Sequence, residues 1–551
     1  MAAAAAEPLT EALGGMAGNG TAKAGSFLTF LVQDIQRSPA IYTTFAVLLA
    51  LIVFVRKLSS PVLEAREPPM MQSRIPVIGH LLGMIQHGPH YFKTIEHRNM
   101  AIATLPILGG KMYGVWDPIL GQSVHRNKAL TFEPFAVEFA QRELGFDNEK
   151  LKLLQETNLI PEFFEGIHVA MTPSNVRRMN ANALRYVAEV LAKTGDEPFE
   201  TSNAFLWIRD LITMATADAL YGHENPLKKD PSLLDELWAF DNDLARLMVN
   251  IVPSVTARRC YQARARLQAA LRVYYTAKHD LNENASQIVK NRAAVLRNYG
   301  LTGTDLGNFE IALLHVATAN TIPTLFWFMA YVFTNRDLVA RLRDEVKAVA
   351  THGEKDEVTL DISAIDEKCP LLVSCYREAI RVSNKGTGNR RVMEDTTISD
   401  GQGRSYLLKK GTNLQLSAEV FHSLERAWGP DKYEFVADRF VQTTTTTKGN
   451  QEKLDAEKLK KASWVPFGGG KNLCPGRNFA FAENLGFVAS LVLGYEVTTL
   501  DENMKPTSRP PAAAPCAITS AASKPVREGE GFGMRVEKRK GWEKTKWLYT
   551  S

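Results

Sequence analysis

From Glu143 to about Arg381 apolar residues recur at spacings of three and four, the period of helices that bury one face. The runs Leu151 to Leu159, Val176 to Leu191, Phe205 to Tyr221, Leu233 to Val252 and Tyr261 to Arg292 each predict helix. Between Gly386 and Leu416 the pattern shifts to short β-prone runs, Thr396-Thr397-Ile398 and Ser405-Tyr406-Leu407-Leu408, punctuated by Gly401, Gly403 and Gly411. The expected fold class is therefore mainly α with a small β lobe, in a single large domain. Five consecutive threonines followed by mostly charged residues make Gln442 to Lys461 an expected surface insertion.

Two apolar stretches need separate decisions. Ala40 to Val55 holds sixteen residues without a charge and ends at Arg56 and Lys57, which predicts a transmembrane helix over 40–57. That leaves 1–39 as an N-terminal luminal segment, 58–76 as a proline-rich connector and 77–551 as the folded domain. The long preceding segment and the lack of a small-x-small cleavage site argue against a signal peptide. Lys23 and Arg37 before the span against Arg56, Lys57 and Arg66 after it favour a cytosolic body, with the Asn19-Gly20-Thr21 glycosylation acceptor in the lumen. Ile311 to Phe333 also lacks Asp, Glu, Lys and Arg. Its middle carries His315, Thr318, Asn320 and Thr321, and Pro323 removes the hydrogen bond to the Ala319 carbonyl, so a buried helix with a local defect is predicted instead of a second span.

Composition narrows the class. With 45% hydrophobic and 23% charged residues the chain is globular, and its net charge of +5, from 65 basic against 60 acidic residues, shows no clustering that would bind nucleic acid. Five cysteines, Cys260, Cys369, Cys375, Cys474 and Cys516, are odd in number and irregularly spaced, so neither a disulfide framework nor a zinc site is expected.

The strongest chemical signal is Phe467-Gly468-Gly469-Gly470-Lys471-Asn472-Leu473-Cys474-Pro475-Gly476-Arg477, followed by a helical run to Leu493. Glycines let amide donors converge, and a cysteine at a helix start gains from the dipole, so the loop is expected to lower the Cys474 pKa. The thiolate could be a nucleophile, a redox thiol or a metal ligand; no His or Asp arrangement for nucleophilic attack accompanies it. A single thiolate in such a loop is what a haem iron needs as proximal ligand.

On Phe467, Gly470, Cys474 and Gly476 the chain resembles the cytochrome P-450 haem-thiolate monooxygenases. The resemblance implies an iron-bearing haem b bound through Cys474, with Phe467, Gly470, Gly476 and Asn472 in its cradle. It implies that Glu378 and Arg381, three apart on one helix, interlock with Arg439 of Phe435-Val436-Ala437-Asp438-Arg439-Phe440 as a structural network. It makes Ala317-Thr318-Ala319-Asn320-Thr321 the oxygen-activation motif, with Thr321 as the oxygen-handling hydroxyl and Asn320 where most members carry an acid. Arg390 matches the propionate-binding arginine. Asn472 stands where the family often has Arg or His, and the early Trp-x-x-x-Arg is missing, with only Arg177 and Arg178 in that region. Asn-Thr-Ile-Pro is similar to the steroid 7α- and 12α-hydroxylase and prostacyclin synthase branch, and the overall style is similar to fungal secondary-metabolite enzymes. The function implied is oxidation of an apolar small molecule, steroid, terpenoid or secondary metabolite, with O2 and electrons from an NADPH-dependent reductase. The location implied is the endoplasmic reticulum membrane, single-pass, with the catalytic domain cytosolic. Two rivals are a haem-thiolate isomerase or dehydratase acting without O2, and a non-catalytic haem-binding protein.

Overall fold

The computed structural model describes residues 39–551 except 60, 76, 109, 194–197, 355, 442–450 and 551. The Asn19 sequon and, Pro39 apart, the expected luminal segment lie outside the described residues. The chain divides into two compact units: the described part of 1–63 with Met71–Leu81 and Leu105–Lys111, and a larger one of Glu64–Met70, Leu82–Thr104 and Met112–Ser551. In the smaller unit Pro39–Ser59 is a 21-residue helix. Its Phe45, Leu48, Leu51, Val53 and Phe54 are each at least 50% exposed, an apolar surface that no described residue of this unit covers.

The larger unit is mostly helical. Pro173–Lys193 and Ala204–Tyr221 match their predicted runs. Two other predicted helices are each split where the backbone leaves helical geometry. Leu233–Asn242 gives way at Asp243 to a separate Leu244–Val249, which ends on left-handed Asn250, φ 59°. The Tyr261 to Arg292 run becomes Arg258–Thr276 and Gln287–Asn298. Lys278 turns left-handed between them, and Ser286 caps the second by accepting the Val289 N–H. In the expected surface insertion the described residues belong to a helix, Gln451–Ser463, because its Gln, Glu, Leu, Ala and Lys are good helix formers; it stays on the surface, burying Ala462 and Ser463.

The long charge-free stretch is a core element. Ile311–Thr318 and Thr321–Phe333 are distinct helices interrupted at Ala319 and Asn320, and Ile322, Leu325, Phe326, Phe328, Met329 and Ala330 are wholly buried. Thr321–Phe333 packs against Ala204–Tyr221 and Pro370–Ser383. The expected β lobe is present. Thr396–Ser399 pairs antiparallel with Ser405–Leu408 across Gly401 and Gly403, both at positive φ. Asn413–Ser417 lies between Gly110–Val115, parallel to it, and Thr387–Val392, antiparallel, which sets Arg390 opposite Leu414. A second sheet joins Tyr495–Leu500, Gly533–Lys538 and Phe199–Thr201.

Candidate functional site

The cysteine loop is closed by its own backbone. The Cys474 N–H donates to the Phe467 carbonyl at 3.0 Å, and a 3-10 turn over Gly470–Asn472 folds the chain between them, with Asn472 as its last residue. Gly468 and Gly470 have φ of 73° and 63°. A Cβ on Gly470 would lie 1.8 Å from the His125 carbonyl oxygen, so the close approach of the Pro118–Arg126 helix demands glycine there. The Phe467 ring meets Trp464 edge-on.

Arg477–Gly494 starts three residues beyond Cys474, with Gly476 as its N-cap. Burial pushes the Cys474 thiol above its ordinary pKa; the Gly476 and Arg477 amides and the Arg477 charge pull it down only in part. The expected lowering is therefore not delivered by the loop alone, because desolvation outweighs the donors. A thiol so placed is a poor free nucleophile, whereas a metal ion deprotonates its ligand outright. Among the described residues no group of three or more His, Cys, Asp or Glu could hold a metal ion. A lone sulfur suffices where a macrocycle supplies the other ligands.

Arg390 is 5% exposed and donates to three neutral acceptors: the Asn389 carbonyl at 2.8 Å, His125 Nδ1 at 3.3 Å and the Gly469 carbonyl at 3.4 Å. Burial without a compensating acid lowers its pKa to about 10. Beside it the buried His125 Nε2 has no hydrogen-bond partner among the described residues, and burial together with the Arg390 charge lowers His125 to about 4. A buried guanidinium without a carboxylate, next to an unsatisfied imidazole nitrogen and against the cysteine loop, fits the carboxylates of a haem. His125 carries no motif and is not singled out by sequence. Arg177 and Arg178 are exposed on Pro173–Lys193 and take no part.

The structure brings Glu378, Arg381 and Arg439 together. Arg381 forks onto Glu378 through Nε at 2.7 Å and Nη2 at 2.8 Å, and Arg439 Nε donates to Glu378 Oε1 at 2.7 Å. Glu378 is fully buried and Arg381 nearly so. The remaining guanidinium donors reach the carbonyls of His422, Lys432 and Glu434 from Arg381, and of Trp428 from Arg439. Two cations share one fully buried carboxylate, and Asp431 supplies the second negative charge at 3.1 Å from Arg439.

On the broken helix Ala312, Val316, Ala317, Asn320, Thr321 and Thr324 are accessible in a run otherwise buried, and their helical spacing makes them one face. Hydroxyls along this helix differ. Thr318 donates to the Leu314 carbonyl and Thr324 to that of Asn320, as threonines within helices commonly do. Among the described residues the Thr321 hydroxyl has no such partner. Asn320, expected beside the reacting oxygen, has its Oδ1 committed elsewhere: it accepts the N–H groups of Ala521 at 2.8 Å and Ala522 at 3.2 Å. A turn upstream, buried His315 donates to Asp241 at 2.8 Å and lies 3.3 Å from Glu143. Burial alone would lower His315, but the two carboxylates outweigh it and hold the imidazolium up to about 10.

Residues 68–520 match the family model for cytochrome P450. The chain is 41% identical over 503 residues, 91% of its length and 95% of the relative's, to a cytochrome P450 monooxygenase of Gibberella zeae. It is 27% identical, over 88% of its length and 92% of the relative's, to the cytochrome P450 monooxygenase nodJ of Hypoxylon pulicicidum. With the 5-beta-cholestane-3-alpha,7-alpha-diol 12-alpha-hydroxylase of Sus scrofa it shares 24% identity over 79% of its length and 87% of the relative's. The fold is that of the retinoic acid bound cyanobacterial CYP120A1, with TM-score 0.61 and 17% identity over 87% of this chain and all of that one. A free thiol over an amide cradle, a buried arginine without an acid and a broken core helix with an uncommitted hydroxyl thus stand in a chain that belongs to the cytochrome P450 family, an oxidoreductase whose cofactor is haem b on an axial cysteine thiolate.

Proposed function

We propose that Cys474 is the axial ligand, that Arg390 and His125 hold the haem carboxylates, and that the substrate is an apolar small molecule of steroid, terpenoid or secondary-metabolite type. Bound, the cofactor would supply the activation of O2, with two electrons from a redox partner and two protons, so that one oxygen atom would enter the substrate and the other leave as water. The amides of Gly476 and Arg477 stabilise negative charge on the sulfur, and the glycines let the loop pass close to the Pro118–Arg126 helix. Ala312, Val316 and Ala317 make the accessible face apolar on the upstream side of Thr321, which favours an apolar ligand. The Thr321 Oγ1 is free to accept a bond from one donor and pass its own proton to an acceptor. Glu378, Arg381 and Arg439 take no part in the chemistry; they hold the Pro370–Ser383 helix to the segment ahead of the loop.

The observation that carries this reading is Arg390, a buried cation with neutral partners only, set against the cysteine loop. The names of the fungal and steroid 12-alpha-hydroxylating relatives support the substrate class. Further elements of the proposal are an NADPH-dependent reductase as redox partner and anchoring in the endoplasmic reticulum membrane by 40–57, with 77–551 cytosolic and Asn19 glycosylated. The exposed apolar side of Pro39–Ser59 supports the anchor. An isomerase, a dehydratase or a non-catalytic protein would have no use for the uncommitted Thr321 hydroxyl. The test is the reduced, carbon-monoxide-bound spectrum of the protein and of Cys474→Ser. The wild type should show the red-shifted thiolate Soret band and the variant should lose it; folded wild type without haem overturns the assignment. Product that forms only with O2 and reductant then separates oxygenation from isomerisation.

A further inference from the structure

The loop that meets Asn320 also grips the broken helix on both sides of the break. At the break, Asn320 Oδ1 accepts from the Ala521 and Ala522 amides. Downstream, Trp327 Nε1 donates to the Ser523 carbonyl at 2.7 Å. Upstream, Lys524 pairs with Asp241, the carboxylate that also holds His315. The other edge of the same four residues is stitched to the end of Pro370–Ser383: Ser523 N–H donates to the Ser383 carbonyl at 2.9 Å, and the Ala521 carbonyl accepts from Lys385 and Gly386 at 2.9 and 3.1 Å. Pro323 leaves the helix short of one internal hydrogen bond where these outside bonds cluster.

We propose that Asn320 is a positioning residue: its carboxamide straps residues 521–524 across the helix break, so that the break angle, and with it the Thr321 hydroxyl, is set by this loop. The proposal rests on the oxygen-handling role given to Thr321 above. An amide is suited to the task because its oxygen accepts from both backbone donors while carrying no charge. The loop meets the accessible face at Asn320, the residue before Thr321, so a substrate pressing on Ala521 would act on that hydroxyl through the same bonds.

Hydrogen–deuterium exchange of the peptide holding Ala521 and Ala522 tests this in full-length holoenzyme. Asn320→Leu, which keeps volume and loses the acceptor, should speed exchange there about tenfold, and Asn320→Asp, which keeps an acceptor, should stay within about twofold of wild type. If the leucine variant does not accumulate, Asn320→Ala carries the same expectation. Lys524→Met should loosen the same peptide less. In the leucine or alanine variant the hydrogen peroxide released per electron pair should rise severalfold, as Thr321 loses its position. Unchanged exchange at 521–522 in the variant without an acceptor, or an aspartate that exchanges as fast as that variant, overturns the strap. The carbon-monoxide spectrum of the same samples reports separately on the haem assignment, which can fail while the exchange result stands.

Discussion

The cysteine loop and the break in the core helix are both departures from regular backbone, but they are held in opposite ways. The loop is closed by near neighbours: six residues lie between Phe467 and Cys474, whose amide bonds the Phe467 carbonyl. The break is held by residues 521–524, some 200 positions further along the chain. A feature closed by near neighbours is written in a contiguous motif, and one closed by distant residues is not. The two also differ in charge. Behind the loop, Glu378 is shared by a buried and a part-buried arginine; beside the break, neutral amides do most of the holding and one ionic cluster, His315, Asp241, Glu143 and Lys524, stands behind them.

Four changes sharpen this contrast. The largest effect is expected from Glu378→Ala, which leaves Arg381 and Arg439 buried beside no shared carboxylate at a cost of about 3–5 kcal/mol. Thermal unfolding should show a collapse of the folded fraction and of haem content together; a variant of near-native stability would mean that the backbone carbonyls alone carry the arginines. Gly470→Ala comes next, because its Cβ would meet a backbone oxygen and its φ is left-handed, a cost of about 3 kcal/mol. Denaturant unfolding measures it, and haem loss should precede global unfolding if the loop yields first.

The third change uses pH. Folding raises the His315 pKa from 6.5 to about 10. A raised folded-state pKa contributes stability that is fully present below about 6.5 and is lost as pH rises towards 10. The stability advantage of wild type over His315→Gln should therefore shrink steadily between those pH values; a constant difference would show that the imidazole acts by packing alone. The smallest effect is expected at Thr302, whose capping box with Asp305 starts Gly303–Phe309 ahead of the broken helix. Thr302→Ala should cost about 1 kcal/mol in denaturant unfolding and leave exchange at 521–522 unchanged.

Legibility followed sequence distance. The Glu378-x-x-Arg381 pair and the Arg439 segment stand out as motifs, and the structure brings them into bonding distance. The helix break was legible through Pro323 and its polar neighbours. The partners of Asn320 were not legible, because nothing near it in the chain shows that its carboxamide oxygen accepts from Ala521 and Ala522. His125 escaped for the same reason: a single histidine at a helix end has no pattern, and only packing against Gly469 and Gly470 makes it part of the site. The splits at Asp243 and near Lys278 escaped because apolar periodicity continues across a short departure from helical backbone.

By itself the sequence determined the class of fold, the cysteine loop, the arginine clamp and the apolar character of the core helix, since each depends on residue types a few positions apart. Only the tertiary structure decided which carbonyls and amides the buried polar groups reach: His125 with Arg390, His315 with Asp241, and Asn320 with Ala521 and Ala522. A buried polar atom must find a partner, but its cost of desolvation does not depend on how far along the chain that partner lies, so no local pattern records the choice.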